Sequence, residues 1–177
     1  MMNSQNDNQR MDKEQMLKAL HRLNDKLRSS DETGELILFG GAFMCLVFGS
    51  RGYTRDMDAV FEPKGSIYAY AREIAKEEGL PADWLNDGVK GWLYVEPKTD
   101  LVLQLSHLSV LAAKPEYILA MKCYAARLDT DDLNDAIVLA NVLGLTDRNQ
   151  VLDIVEKYIP VRLLSVKNVA FVEALFG

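Results

Sequence analysis

Met16, Leu17, Leu20, Leu23 and Leu27 recur at helical spacing through a stretch otherwise rich in lysine, aspartate and arginine, which predicts an amphipathic first helix. The polar residues 1–10 before it predict a disordered tail. SSDETG breaks the helix, ELILF at 35–39 has the texture of a short buried strand, and Gly40-Gly41 turns the chain into the apolar run AFMCLVFG. The expected unit is strand, glycine turn, helix. A second turn, SRGYT, leads into DMDAVF, where period-two alternation sends Asp56 and Asp58 to one face and Met57 and Ala59 to the other. SIYAYAREIAKEEG predicts a helix opened by Ser66 and closed by Gly79, PADWLNDGVKGW a shorter helical piece, and LVLQL and HLSVLAA two further strands. Beyond this point the texture is helical. PEYILAMKCYAARL, DDLNDAIVLANVLG, TDRNQVLDIVEKYI and PVRLLSVKNVAFVEALF form four segments, with Pro115 and Pro160 at helix starts and Gly144 at a helix end. The pattern divides the chain into an α/β core over 11–114 and a helical part over 115–177 packed on the same core.

Composition narrows the function classes more than it alters this layout. With 177 residues, 49% hydrophobic and 26% charged, the chain has the profile of one globular domain with enough apolar material for a core. No stretch approaches the roughly 18 uninterrupted apolar residues of a membrane span, and MMNSQNDNQR lacks the apolar centre of a signal peptide. A cytoplasmic protein with no membrane partner is expected. Cys45 and Cys123 sit in apolar helical segments without partners at metal spacing, so they read as small buried hydrophobes. A net charge of −6 argues against a broad nucleic-acid surface, because phosphate neutralisation supplies most of non-specific affinity.

Candidate chemistry concentrates between Gly40 and Asp58. A D-x-D pair alone is weak, and Asp129 and Asp131 form a second one in a helix-connecting loop. Only the first pair follows a glycine turn and a turn carrying Arg51, Thr54 and Arg55. Transfer of a phosphoryl or nucleotidyl group needs a hard divalent cation, amide donors for phosphate and cationic side chains for developing charge. Two aspartates on one strand face can hold Mg²⁺, and the side-chain-free Gly40-Gly41 turn lets phosphate approach amide donors. The alternative is a plain tight turn beside a solvated strand face.

Lys122 lies within the apolar stripe Ile118, Leu119, Ala125 and Ala126, where an unpaired ammonium is costly. Either it snorkels outward or an anion holds it, and Asp56, Asp58 and a bound triphosphate are the expected anions. On that reading, replacing Lys122 by alanine weakens nucleotide binding and leaves stability unchanged or raised. Asp132 and Asp135, three residues apart, share a helix face and serve either as helix caps or as site residues. His107, flanked by leucine, reads as structural, and Trp84 and Trp92 as core or rim residues.

FGGAFMCLVFGSRGYTRDMDAVF resembles the first motif of the minimal nucleotidyltransferases, in which a glycine pair opens a helix and a strand then delivers D-x-D. DWLNDGVKG and PEYILAMKCYAARLDTDDLNDAIVLANVLG are similar to short nucleotidyltransferase-like proteins related to the toxin of abortive-infection toxin–antitoxin systems. The resemblance covers roughly residues 35–145. It implies an α+β fold, with a polymerase-beta-like core on a short mixed sheet and a C-terminal helical bundle. It also implies Asp56 and Asp58 as Mg²⁺ or Mn²⁺ ligands, Gly40 and Gly41 as the nucleotide-phosphate turn, and Lys122 as a triphosphate lysine. Arg51, Thr54 and Arg55 would line the site, and Asp132 or Asp135 would match the acid that follows the lysine. The implied reaction moves an NMP from an NTP to a hydroxyl on a protein side chain or an RNA end such as tRNA, with a cognate antitoxin or toxin as partner. One departure stands out: LVLQL and HLSVLAA contain no acid, so the third carboxylate of many members is missing unless Asp100 or Asp135 substitutes. A catalytically inactive nucleotide-binding or antitoxin-like module of the same fold, and a helical interaction protein with an incidental D-x-D, are the alternatives.

Overall fold

The computed structural model describes residues 10–128 and 130–177. The expected tail, apart from Arg10, and Asp129 of the second D-x-D lie outside the described residues. The fold is α+β, with seven α-helices, a mixed five-stranded sheet and a two-stranded sheet among the described residues. Contacts gather into two compact units. A sheet unit runs to Gly91 and resumes over Thr99–Ala112, while a helical unit is made of Trp92–Lys98 and Ala113–Gly177. No described helix is long and apolar enough to cross a membrane.

In the sheet unit, β1 (Met11–Asp12) leads directly into α1 (Lys13–Ser29). Asp12 and Gln15 form a reciprocal capping box, the Asp12 carboxylate accepting from Gln15 N and the Gln15 side chain from Asp12 N. The face carrying Met16, Leu20, Leu23 and Leu27 is buried, as the spacing requires. Its polar side forms ion pairs with α3 (Lys64–Glu78), joining Lys26 to Glu73 and Glu77 and Lys18 to Glu78. β2 (Gly34–Leu38) is the centre of the large sheet, antiparallel to β4 (Met57–Glu62) and parallel to β7 (Leu108–Ala113). The order is completed by β5 (Leu85–Asn86) beyond β4 and β6 (Thr99–Gln104) beyond β7.

Two segments depart from the sequence expectation. PADWLNDGVKGW is not a helical piece: it contributes β5, parallel to β4, and then a 3₁₀ turn over Gly88–Trp92. The reason is tertiary, since Met57 N donates to Trp84 O at 2.6 Å and draws the chain into the sheet while Trp84 is fully buried. SRGYT is more than a turn, because Tyr53–Thr54 forms β3 and pairs with β1, Met11 opposite Thr54.

In the helical unit, α4 (Pro115–Ala125) contacts α5 (Asp132–Val142), α6 (Arg148–Tyr158) and α7 (Val166–Ala174). Pro115 occupies the first turn of α4, where no amide hydrogen is needed. Pro160 does not open a helix, as the sequence pattern suggested; it precedes a 3₁₀ turn, and α7 is instead capped by Ser165 with Asn168. The Asn168 amide donates to the carbonyls of Cys123 at 3.0 Å and Tyr124 at 2.7 Å, which satisfies the end of α4.

Candidate functional site

The glycine turn and the D-x-D strand meet at the end of β2. Ladder pairing runs from Glu35 opposite Glu62 to Leu38 opposite Ala59, and Phe39 N then donates to Asp58 O at 2.9 Å. The next residue, Gly40, therefore stands beside Asp58. Gly40 has φ +59°, a left-handed conformation costly for any other residue, and a Cβ there would lie 2.8 Å from Asp58 Oδ2. A Cβ on Gly41 would collide with Arg51 Nη1 and come within 2.6 Å of Thr54 Oγ1. The glycine pair thus forms a cradle into which Asp58, Thr54 and Arg51 are packed, and side chains at 40 or 41 would fill it.

From Gly40 the chain makes one α-helical turn, α2 (Gly40–Phe43), which widens into a π-helical turn over Met44–Phe48 and ends at left-handed Gly49. Phe43 and Phe48 pack edge to face at 5.2 Å and brace this turn. Opposite it, β1 holds β3, so Thr54 is buried and its hydroxyl donates to Asp56 O at 3.1 Å.

On β4, Met57, Ala59 and Phe61 are buried while Asp58 and Val60 are partly exposed, the alternation read from the sequence. Asp56 precedes the strand, and its Oδ2 accepts from Asn86 Nδ2 at 3.3 Å. Asn86 lies on β5 directly opposite Asp58. Gly40, Gly41, Arg51, Thr54, Asp56 and Asp58 are thus gathered in one unit, together with Asn86. Sequence reasoning missed Asn86: two residues of strand have no periodicity, and the only signal was an amide side chain in the quoted DWLNDGVKG segment. Arg55 is exposed and turned towards Asp83, 3.9 Å away. Asp100 is exposed on β6.

Next to Asn86, the Asp87 carboxylate accepts from Lys64 Nζ at 2.7 Å and from the Tyr68 hydroxyl. These contacts, Lys64 first, hold the Asp87 carboxyl below the usual aspartate range.

Lys122 belongs to a separate constellation inside the helical unit. Its ammonium is buried and reaches Asp132 Oδ1 and Asp135 Oδ2, each at 2.8 Å, and Arg127 Nε completes the group 2.6 Å from Asp132 Oδ2. The anion expected from Asp56 and Asp58 is supplied instead by Asp132 and Asp135. Burial pushes the Asp132 carboxyl up, but Lys122 and Arg127 outweigh it and hold the group below its usual value. Snorkelling is excluded as well, since Lys122 is only 5% exposed. Cys123, next to it, has its thiol pushed up to about 12 by burial, which makes it an unreactive core residue.

Asp56 and Asp58 match a magnesium site in donor type and number. Two carboxylates are the number of protein ligands that Mg²⁺ commonly takes when water and phosphate complete its octahedron. Among the described residues no group of three or more His, Cys, Asp or Glu side chains is placed to hold a metal on its own. Comparison with protein-family models, curated proteins and solved structures gives no match for this chain.

Proposed function

We propose that the protein is a Mg²⁺-dependent nucleotidyltransferase that moves an NMP from an NTP to a hydroxyl acceptor, with Mn²⁺ able to replace Mg²⁺. The observation that carries this reading is the cradle itself: a left-handed glycine and a second glycine into which Asp58, Thr54 and Arg51 pack, Asp58 lying two residues beyond Asp56. Asp56 and Asp58 would hold the cation. A cation held there would supply Lewis-acid chemistry, offsetting negative charge on a bound triphosphate. Gly40 and Gly41 let phosphate approach the backbone without a side chain in the way, and Arg51 is the cation nearest the turn. Lys122 and Asp135 take no part in this reading, since they satisfy each other within the helical unit.

A second reading, a nucleotide-binding module without turnover, is favoured by one observation: the residue opposite Asp58 on the neighbouring strand is the neutral Asn86 and not an acid. The sequence resemblance adds a toxin–antitoxin or phage-defence role, with a tRNA end or a protein side chain as acceptor and a cognate antitoxin or toxin as partner. Incubating the purified protein with α-labelled NTPs, Mg²⁺ or Mn²⁺, and either total tRNA or cell lysate tests both. Label carried onto RNA or protein, and lost in Asp58→Asn, supports transfer. Metal-dependent NTP binding without label transfer supports the module, and neither result leaves only the helical interaction protein.

A further inference from the structure

The geometry points to Asn86 as the residue that orients Asp56 and holds the nucleotide-free site to two carboxylates, and hence to a single divalent cation. The inference rests on the nucleotidyl-transfer reading above and adds to it the number of metal ions that this site can carry.

Both ends of the Asn86 amide are spoken for. Its Oδ1 accepts from Gly88 N at 3.2 Å, which fixes which end is oxygen, and Nδ2 donates to Asp56 Oδ2 at 3.3 Å and to Asp83 O at 3.5 Å. The backbone that carries it is held on both sides. Asn86 pairs with Asp58 across the β4–β5 ladder, and Asp87 is tied by Lys64 and Tyr68, with Asp87 N also donating to the Tyr68 hydroxyl at 3.4 Å. The amide thus gives the Asp56 carboxylate a directing partner, as an outer-shell group does for a metal ligand.

A carboxylate at 86 would face Asp56 Oδ2 across the same short gap, and two such groups resist sharing it unless a cation lies between them. The neutral amide avoids that repulsion by donating a proton. It therefore stabilises the two-carboxylate state and offers no further anionic ligand.

Mn²⁺ titration of the intact chain, following free Mn²⁺ by electron paramagnetic resonance, tests the assignment. Wild type should bind one Mn²⁺. Asn86→Ala, checked for folding by circular dichroism, should bind it about 10- to 100-fold more weakly, the usual loss for an outer-shell partner. Asn86→Asp, which keeps the shape of the side chain, should take up a second Mn²⁺ and decides the matter if the alanine variant does not fold. A folded Asn86→Ala with wild-type Mn²⁺ affinity, or Asn86→Asp that still binds one Mn²⁺ at wild-type affinity, would overturn the role of Asn86 while leaving nucleotidyl transfer standing. Wild type that takes up no Mn²⁺ would overturn the underlying reading itself.

Discussion

Two glycines with the same backbone conformation separate what the site needs from what the turn needs. Gly40 and Gly49 have φ of +59° and +63°, so alanine at either costs about 1–2 kcal/mol of conformational strain. Only at Gly40 does a Cβ also meet the Asp58 carboxylate; at Gly49 it meets open space. Gly49→Ala is therefore expected to lose stability in thermal unfolding and Gly40→Ala at least as much, while only Gly40→Ala loses metal-dependent NTP binding, by about 10-fold or more. Equal binding by the two variants would show that the glycine turn is structural alone. At this scale the alternation along DMDAVF was legible: it placed Asp58 opposite the buried Met57 and Ala59. Asn86 was not, because its contact with Asp56 depends on a non-local strand pairing that spacing in a single sequence does not reveal.

Between helices, the question is where a buried charge finds its counter-charge. The position of Lys122 in an apolar stripe left snorkelling or an anionic partner open, and periodicity pointed to the wrong anion. The partners turned out to be close in the chain, because α4 packs on α5 and brings Asp132 and Asp135 over the ammonium. The capping alternative for these aspartates described their place in the first turn of α5 and missed their ionic partner. This geometry reverses the stability expected of Lys122→Ala. Removing the lysine takes the buried cation away from two buried carboxylates and leaves Arg127 only at Asp132, a loss of about 3–5 kcal/mol. Urea unfolding should show that loss, and combining Lys122→Met with Asp132→Asn and Asp135→Asn should recover most of it, since the burial penalty goes with the charges. Unchanged stability in Lys122→Ala would mean that the cluster contributes nothing net. The helix starts teach the same lesson: Pro115 was legible as a first-turn proline, whereas Ser165 as the true start of α7 depended on its reciprocal bonds with Asn168.

Across the whole molecule, the sheet unit contains every residue on which the functional reading depends. The longer elements up to Gly79, α1, β2, β4 and α3, were readable from pattern because each shows a period, whereas the two-residue β1 and β3 show none. The assignment of 92–98 to the helical unit was not, since it follows from contacts such as Tyr117 OH to Val95 O at 2.6 Å. A chain of net charge −6 repels a free triphosphate, so binding should require the cation that Asp56 and Asp58 are placed to hold. The direct measurement is calorimetric titration of the intact protein with a non-hydrolysable NTP, with Mg²⁺ and with the metal chelated, in wild type and in Asp58→Asn. Nucleotidyl transfer predicts binding by wild type only with Mg²⁺ and at least about 10-fold weaker binding by the variant. No binding by wild type in Mg²⁺, or equal binding by the two proteins, would contradict it.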